Sequence, residues 1–313
     1  MENEITNKEK SKIKIDWWIY SIPIIFILAW RFHFIIYSRS SHIKTVALFY
    51  GGPYIITFLC IVFLMFGIIR SFRKRPFFNY WRIVGFLALS CLCFSGQLYH
   101  EFPSFYDDKP SKIAFRLPLD TAVTVFWGGS SEQNNYHAVA TDQRWAYDLA
   151  VLKNDNSFSG DSTKLENYYC YGLPVLSPAD GKIIKVVDTE PDVAIGKIGG
   201  YINEVGGNHL IIQVAPKEFL FICHLKPKSI KVKQGDNVKQ GQELALVGNS
   251  GNTSEPHIHI HLQDSKEEFI AQGIPLYFHH YTVNGKFVAR GIPTGGFDDN
   301  DNFIGQTVKN VTE

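Results

Sequence analysis

Three histidines alternate with two isoleucines in the segment Pro256-His257-Ile258-His259-Ile260-His261. A β-strand repeats every two residues, so the three imidazoles share one face and the isoleucines the other, where a core can bury them. Imidazoles spaced in this way suit a borderline metal such as zinc. A catalytic zinc site takes three protein ligands and keeps a fourth position open. Further donors lie upstream. Asp148 sits between Tyr147 and Leu149 in an apolar run, where a carboxylate is costly unless it is paired or metal-bound. His224 closes the run Phe221-Ile222-Cys223, where a strand meets a loop, and His137 follows Asn135-Tyr136. Each of these also has a structural alternative, a salt-bridged aspartate or a capping or core histidine.

The elements that must carry these residues read as strands. From Ala114 onward, short runs rich in β-branched and aromatic residues alternate with Gly, Asn and Pro turns. The runs are Thr121–Trp127, Trp145–Val151, Gly181–Asp188, Asn208–Val214, Phe219–His224, Glu243–Val247 and His257–Leu262. With no competing helical period, the expected class for this part is mainly β, an antiparallel sheet. Residues 100–116 read as a linker, and 266–313 as an extension with further strands and turns packed on the domain at 117–265. Cys170 and Cys223 allow either one disulfide or two buried free thiols.

The first hundred residues differ in kind. They hold 12 Lys and Arg against 4 Asp and Glu, whereas residues 101–313 hold 19 against 26. Three apolar spans, about 17–37, 46–69 and 83–99, approach the ~20 residues that cross a bilayer core, which predicts an α-helical transmembrane region in contact with lipid. Basic residues in the tail 1–16 and in the stretch Arg70–Arg82 place the N-terminus inside. The β domain then falls on the outer side of the cytoplasmic membrane. These basic residues flank apolar spans and form no groove-sized patch, so nothing points to nucleic acid.

The order of motifs resembles that of the lysostaphin/LytM-type zinc metallopeptidases, over roughly residues 120–265. It runs from His137 and Ala146-Tyr147-Asp148-Leu149-Ala150 through Gly172-Leu173-Pro174-Val175-Leu176-Ser177-Pro178-Ala179-Asp180-Gly181 to His224-Leu225. It ends with Gly248-Asn249-Ser250-Gly251-Asn252-Thr253 and Pro256-His257-Ile258-His259. The resemblance implies a β-sandwich-like domain with one zinc ion in an open groove. It makes His137, Asp148 and His259 the ligands and His224 and His257 the unliganded catalytic histidines. The implied activity is a membrane-tethered endopeptidase that cuts peptide bonds in peptidoglycan cross-links or bridges. Some relatives are non-catalytic regulators of cell-wall amidases, but they lack ligands that this chain keeps. Two positions depart from the family pattern. Ten residues separate His137 from Asp148, where the family has a four-position spacing; an inserted hairpin with His137 on the preceding strand would reconcile this. His261 stands where many members have an acidic or amide residue, and reads as a partner of a ligand or a competitor for metal. His209, His279 and His280 read as structural.

Overall fold

The computed structural model describes residues 43–73, 104–131, 134–197, 204–268, 271–298 and 300–311, together with Ile24, Ile25, Leu28 and Val84. The chain divides into two compact units, one of residues 1–38 and 47–100, the other of residues 39–46 and 101–313.

Helix α1 (Ile43–Arg73) takes up the second expected span. Its first half carries Gly51, Gly52, Pro53 and Tyr54, and its last turn carries Arg70 and Arg73. Among the described residues no helix is long and apolar enough to cross a membrane, which corrects the expectation of three spanning helices. Apart from four isolated positions, the first and third spans lie outside the described residues. The lipid contact inferred from the spans has no helix to rest on among the described residues.

The second unit is built on antiparallel strands, as the alternating runs predict. They are β1 (Val123–Trp127), β2 (Tyr147–Ala150), β3 (Pro174–Leu176), β4 (Gly181–Val187), β5 (Asn208–Ala215) and β6 (Glu218–Leu225), followed by β7 (Asn237–Val238), β8 (Glu243–Leu246), β9 (Ile258–Gln263), β10 (Phe278–Val283), β11 (Lys286–Gly291) and β12 (Thr307–Asn310). Ten strands form one sheet in the order β11-β10-β12-β1-β2-β9-β6-β5-β4-β7, and β3 pairs with β8 in a small second sheet. The architecture is therefore one large sheet backed by a ribbon, not a sandwich of two comparable sheets.

Strand alternation divides the large sheet into two chemically different faces. Tyr147, Leu149, Leu210, Ile212, Leu220, Ile222, Ile258, Ile260 and Leu262 join one core cluster with Val175 of β3 and Ala245 of β8. The intervening residues Ile211, Phe221 and Cys223 form a separate small cluster. Asp148, His259 and His261 share that second face. Register aligns them, since Asp148 pairs with His259 and His259 with Cys223 across three central strands. A slip of one residue in β9 would turn its histidines into the core, so burial of Ile258 and Ile260 fixes the polar row.

The segment expected as a linker ends in the core, with Phe115 fully buried and bridged to Phe278. Beyond residue 265, β10 and β12 extend the sheet past β1, and Val308 of β12 pairs with Val123 with no exposed surface.

Candidate metal centre

His137, Asp148 and His259 each offer one donor atom, and these atoms all lie within 4.8 Å of one another. Asp148 Oδ2 is 3.0 Å from His137 Nε2, and Asp148 Oδ1 is 2.9 Å from His259 Nδ1. All three side chains are buried. Burial pushes the Asp148 carboxyl up, but the facing His137 and His257 rings outweigh it and hold it well below the usual carboxylate range.

Asp148 and His259 come from paired strands, whereas His137 comes from a short 3-10 turn, Tyr136–Val139. The expected hairpin is therefore absent: the long spacing to Asp148 is taken up by turns. Fully buried Asn135 fixes this turn, its amide donating to the Gly129 and Ala146 carbonyls at 3.0 Å and its Oδ1 accepting from His137 N. Aromatic rings in tilted and edge-on contact brace it from outside. Tyr136 lies 4.0 Å from the His137 ring, Trp127 4.9 Å from Tyr136, and Phe297 5.4 Å from Trp127.

The fit of a metal is tested by where the ring protons sit. Gln263 donates its amide to the Ser265 and Glu267 carbonyls, at 2.7 and 3.0 Å, which fixes its Oε1 as the acceptor facing His261 Nε2 at 3.0 Å. His261 therefore carries its proton on Nε2, and its Nδ1 accepts from His259 Nε2 at 3.0 Å. That leaves the Nδ1 lone pair of a neutral His259 aimed at a carboxylate oxygen. Burial, partly opposed by Asp148, keeps His259 below the ordinary histidine range. A lone pair and a carboxylate at such a distance are reconciled by a proton or a metal ion between them, and two imidazoles with one carboxylate match the donor preferences of zinc. The chain of ring protons is the kind of support that holds metal-ligating histidines in one tautomer.

His224 and His257 line the same groove of about 340 Å³, their rings 4.8 Å apart. His224 reaches it through a β-bulge. Asn208 pairs with Leu225 while Leu210 pairs with Ile222, so β6 carries one residue more than β5, and His224 has φ +63°. Both Cys223 and His224 thus face the groove although they are consecutive. A non-glycine residue in this region costs on the order of 1–3 kcal/mol and persists only where its surroundings dictate it. Here His224 N donates to Gly206 O, Gly248 N donates to His224 O, and His224 Nδ1 donates to Ser250 O at 2.8 Å. Burial, with His257 and His259 nearby, holds this ring well below the ordinary range. His257 differs. Its Nδ1 donates to Glu255 O at 2.8 Å, and its Nε2 lies 3.5 Å from Asp148 Oδ1. Burial pushes it down, but Asp148 and the Glu255 carbonyl prevail and raise it.

All five residues expected to act thus meet in one groove. His261 lies behind His259, stacked on Phe221 at 4.7 Å. His209 also lines the groove, whereas His279 and His280 sit on β10 and do not. Cys170 and Cys223 are both free and buried, and burial pushes the Cys170 thiol up to about 12. Sequence reasoning overlooked Gln263, although the same alternation that picks out 257, 259 and 261 ends on it. It also overlooked Trp127, Tyr136 and Glu255 in the groove wall, which no spacing marks.

The family model for peptidase family M23 matches residues 166–270, a stretch that holds His224, His257 and His259 but begins after Asp148. The chain is 36% identical over 88 residues to the peptidoglycan DD-endopeptidase ShyB of Vibrio cholerae, covering 28% of this chain and 17% of that protein. It is 30% identical over 92 residues to the cell division protein DipM of Caulobacter vibrioides, covering 29% and 13% respectively. It thus spans less than a fifth of the length of either relative. Among solved structures, it is similar to the catalytic domain of lysostaphin from Staphylococcus simulans, with 20% identity, TM-score 0.28, and coverage of 53% of this chain and 87% of that one. A zinc-containing peptidase from Vibrio cholerae gives 22% identity, TM-score 0.30, and coverage of 56% and 39%. Residues 166–270 of this chain therefore carry a match to peptidase family M23.

Proposed function

We propose that the chain is a zinc metalloendopeptidase that hydrolyses peptide bonds of peptidoglycan outside the cytoplasmic membrane. The observation that carries the reading is the convergence of His137, Asp148 and His259 in one buried group, with His259 Nδ1 turned to the Asp148 carboxylate and its Nε2 to His261. These three residues would hold the ion. When bound, zinc supplies Lewis-acid activation of water and of a carbonyl oxygen.

The two further histidines divide the proton work through their hydrogen bonds. His224 spends its only proton on Ser250 O, so its Nε2 is a free base facing the groove, suited to take a proton from the attacking water. His257 has an acceptor at each ring nitrogen, which favours its charged form. Such a ring can donate to the oxygen of the scissile carbonyl as negative charge develops there. The relative named as a peptidoglycan DD-endopeptidase supports the substrate class.

The test is digestion of purified peptidoglycan by the full chain against its His259→Ala variant, with released peptides quantified. Wild type should release fragments and the variant none. His224→Ala and His257→Ala should retain the ion and lose about 10²–10⁴-fold in rate. Equal release by wild type and His259→Ala would overturn the enzymatic reading. A wild type that binds zinc but releases nothing would favour a regulator of the same fold.

A further inference from the structure

Two further donors, His209 and Glu268, line the same groove as Cys223. His209 of β5 is 1% exposed, and its Nδ1 donates to the Gly207 carbonyl at 2.8 Å. The other ring nitrogen then carries a lone pair, and it has no hydrogen-bond partner among the described residues. It faces Glu268 Oε1 at 3.8 Å. Glu204 stands close by, and one donor atom from each of Glu204, His209 and Glu268 lies within 4.8 Å of the others. Burial holds the His209 ring below the ordinary histidine range.

An acidic pair alone would be unremarkable, and Lys185 accompanies this one. Its Nζ lies 3.3 Å from Glu268 Oε1 and 3.6 Å from Glu204 Oε2. Both separations exceed the ~2.7–2.9 Å of a well-formed charge-assisted hydrogen bond, and the lysine leaves His209 Nε2 unsatisfied. The Lys185 side chain is 38% exposed, so it can turn to solvent. His209, by contrast, is held as metal-ligating histidines are, with the distal N–H on a backbone carbonyl.

We propose that Glu204, His209 and Glu268 form a second divalent transition-metal site beside this groove, with Lys185 as the counter-charge the ion displaces. One imidazole and two carboxylates suit zinc or manganese. The ion would tie the β4–β5 connection, which carries Glu204, to the β9–β10 connection, which carries Glu268. The inference stands apart from the His137–Asp148–His259 group and from any peptidase activity.

The test is metal content of the full chain equilibrated with zinc. Wild type should hold two ions, the Glu204→Gln/Glu268→Gln double variant one, and His259→Ala one. Should the first group bind nothing, wild type would hold a single ion, lost in the double variant and kept in His259→Ala, and the second site would stand. Lys185→Met removes the competing charge and should tighten the second ion about tenfold. Zinc content equal in wild type and the double variant would overturn the proposal, as would unchanged affinity in Lys185→Met.

Discussion

Gln263 never approaches the proposed ion, yet its amide decides which nitrogen of His259 is free. The two carbonyls that receive its N–H groups leave only an acceptor for His261, and the order of protons then runs without choice to His259. Replacing Gln263 by leucine should keep the buried volume but free His261 to flip its tautomer. Loss of such a supporting partner costs about 10–100-fold in metal affinity. Zinc titration of Gln263→Leu should show a weakening of that order, alongside a fall in the unfolding midpoint of the metal-free chain from the partners left unpaired. An unchanged affinity would mean that Asp148 alone orients His259.

At the scale of elements, two turns meet behind His224. Gly251 has φ +82°, and a Cβ there would lie 2.3 Å from Gly207 N and 2.6 Å from the Val205 carbonyl. Gly251→Ala must therefore part the loop of Ser250 from the start of β5. Backbone strain and overpacking together predict a loss of about 2–4 kcal/mol. Because Ser250 O holds His224 Nδ1, the same change should lower peptidoglycan release more than zinc binding. Denaturant unfolding and zinc titration on one preparation would check both halves. The strands themselves were largely legible, because β-branched alternation marks Gly181–Val187, Asn208–Ala215 and Ile258–Gln263 without help from the rest of the chain. The bulge at Cys223–His224 was not, since nothing in the residue type histidine encodes a positive φ. Strands of two or three residues, Asn237–Val238 and Pro174–Leu176, carry too few alternations to stand out. Hydropathy alone led to the three spans, and among the described residues no helix is long and apolar enough to cross a membrane.

For the molecule as a whole, the groove depends on residues beyond the stretch that matches the family. Residues 293–298 and 302–306 lie beside β1, with Gly296 N donating to Phe126 O and Ile304 N to Gly296 O. Phe297 from this segment begins the aromatic series that ends on His137. A chain ending at Ile292 would lose this bracing and uncover the β1 edge that β12 now pairs. Loss of the buried Val308 alone costs about 1.5–3 kcal/mol. With the ladder bonds, the unfolding midpoint should fall by roughly 6–12 °C, measured by calorimetry. Zinc affinity should fall with it.

The turn that bears His137 also bears on time. Asp148 and His259 ride on paired strands at the centre of the sheet, but the third donor hangs on four residues outside it. The turn can open locally while the sheet stays whole. The lifetime of an ion held by His137, Asp148 and His259 would then be governed by how often that short turn unlatches, not by how rarely the protein unfolds. Such an ion would be lost and regained within the intact molecule, and Asn135, the residue that pins the turn, would set the clock.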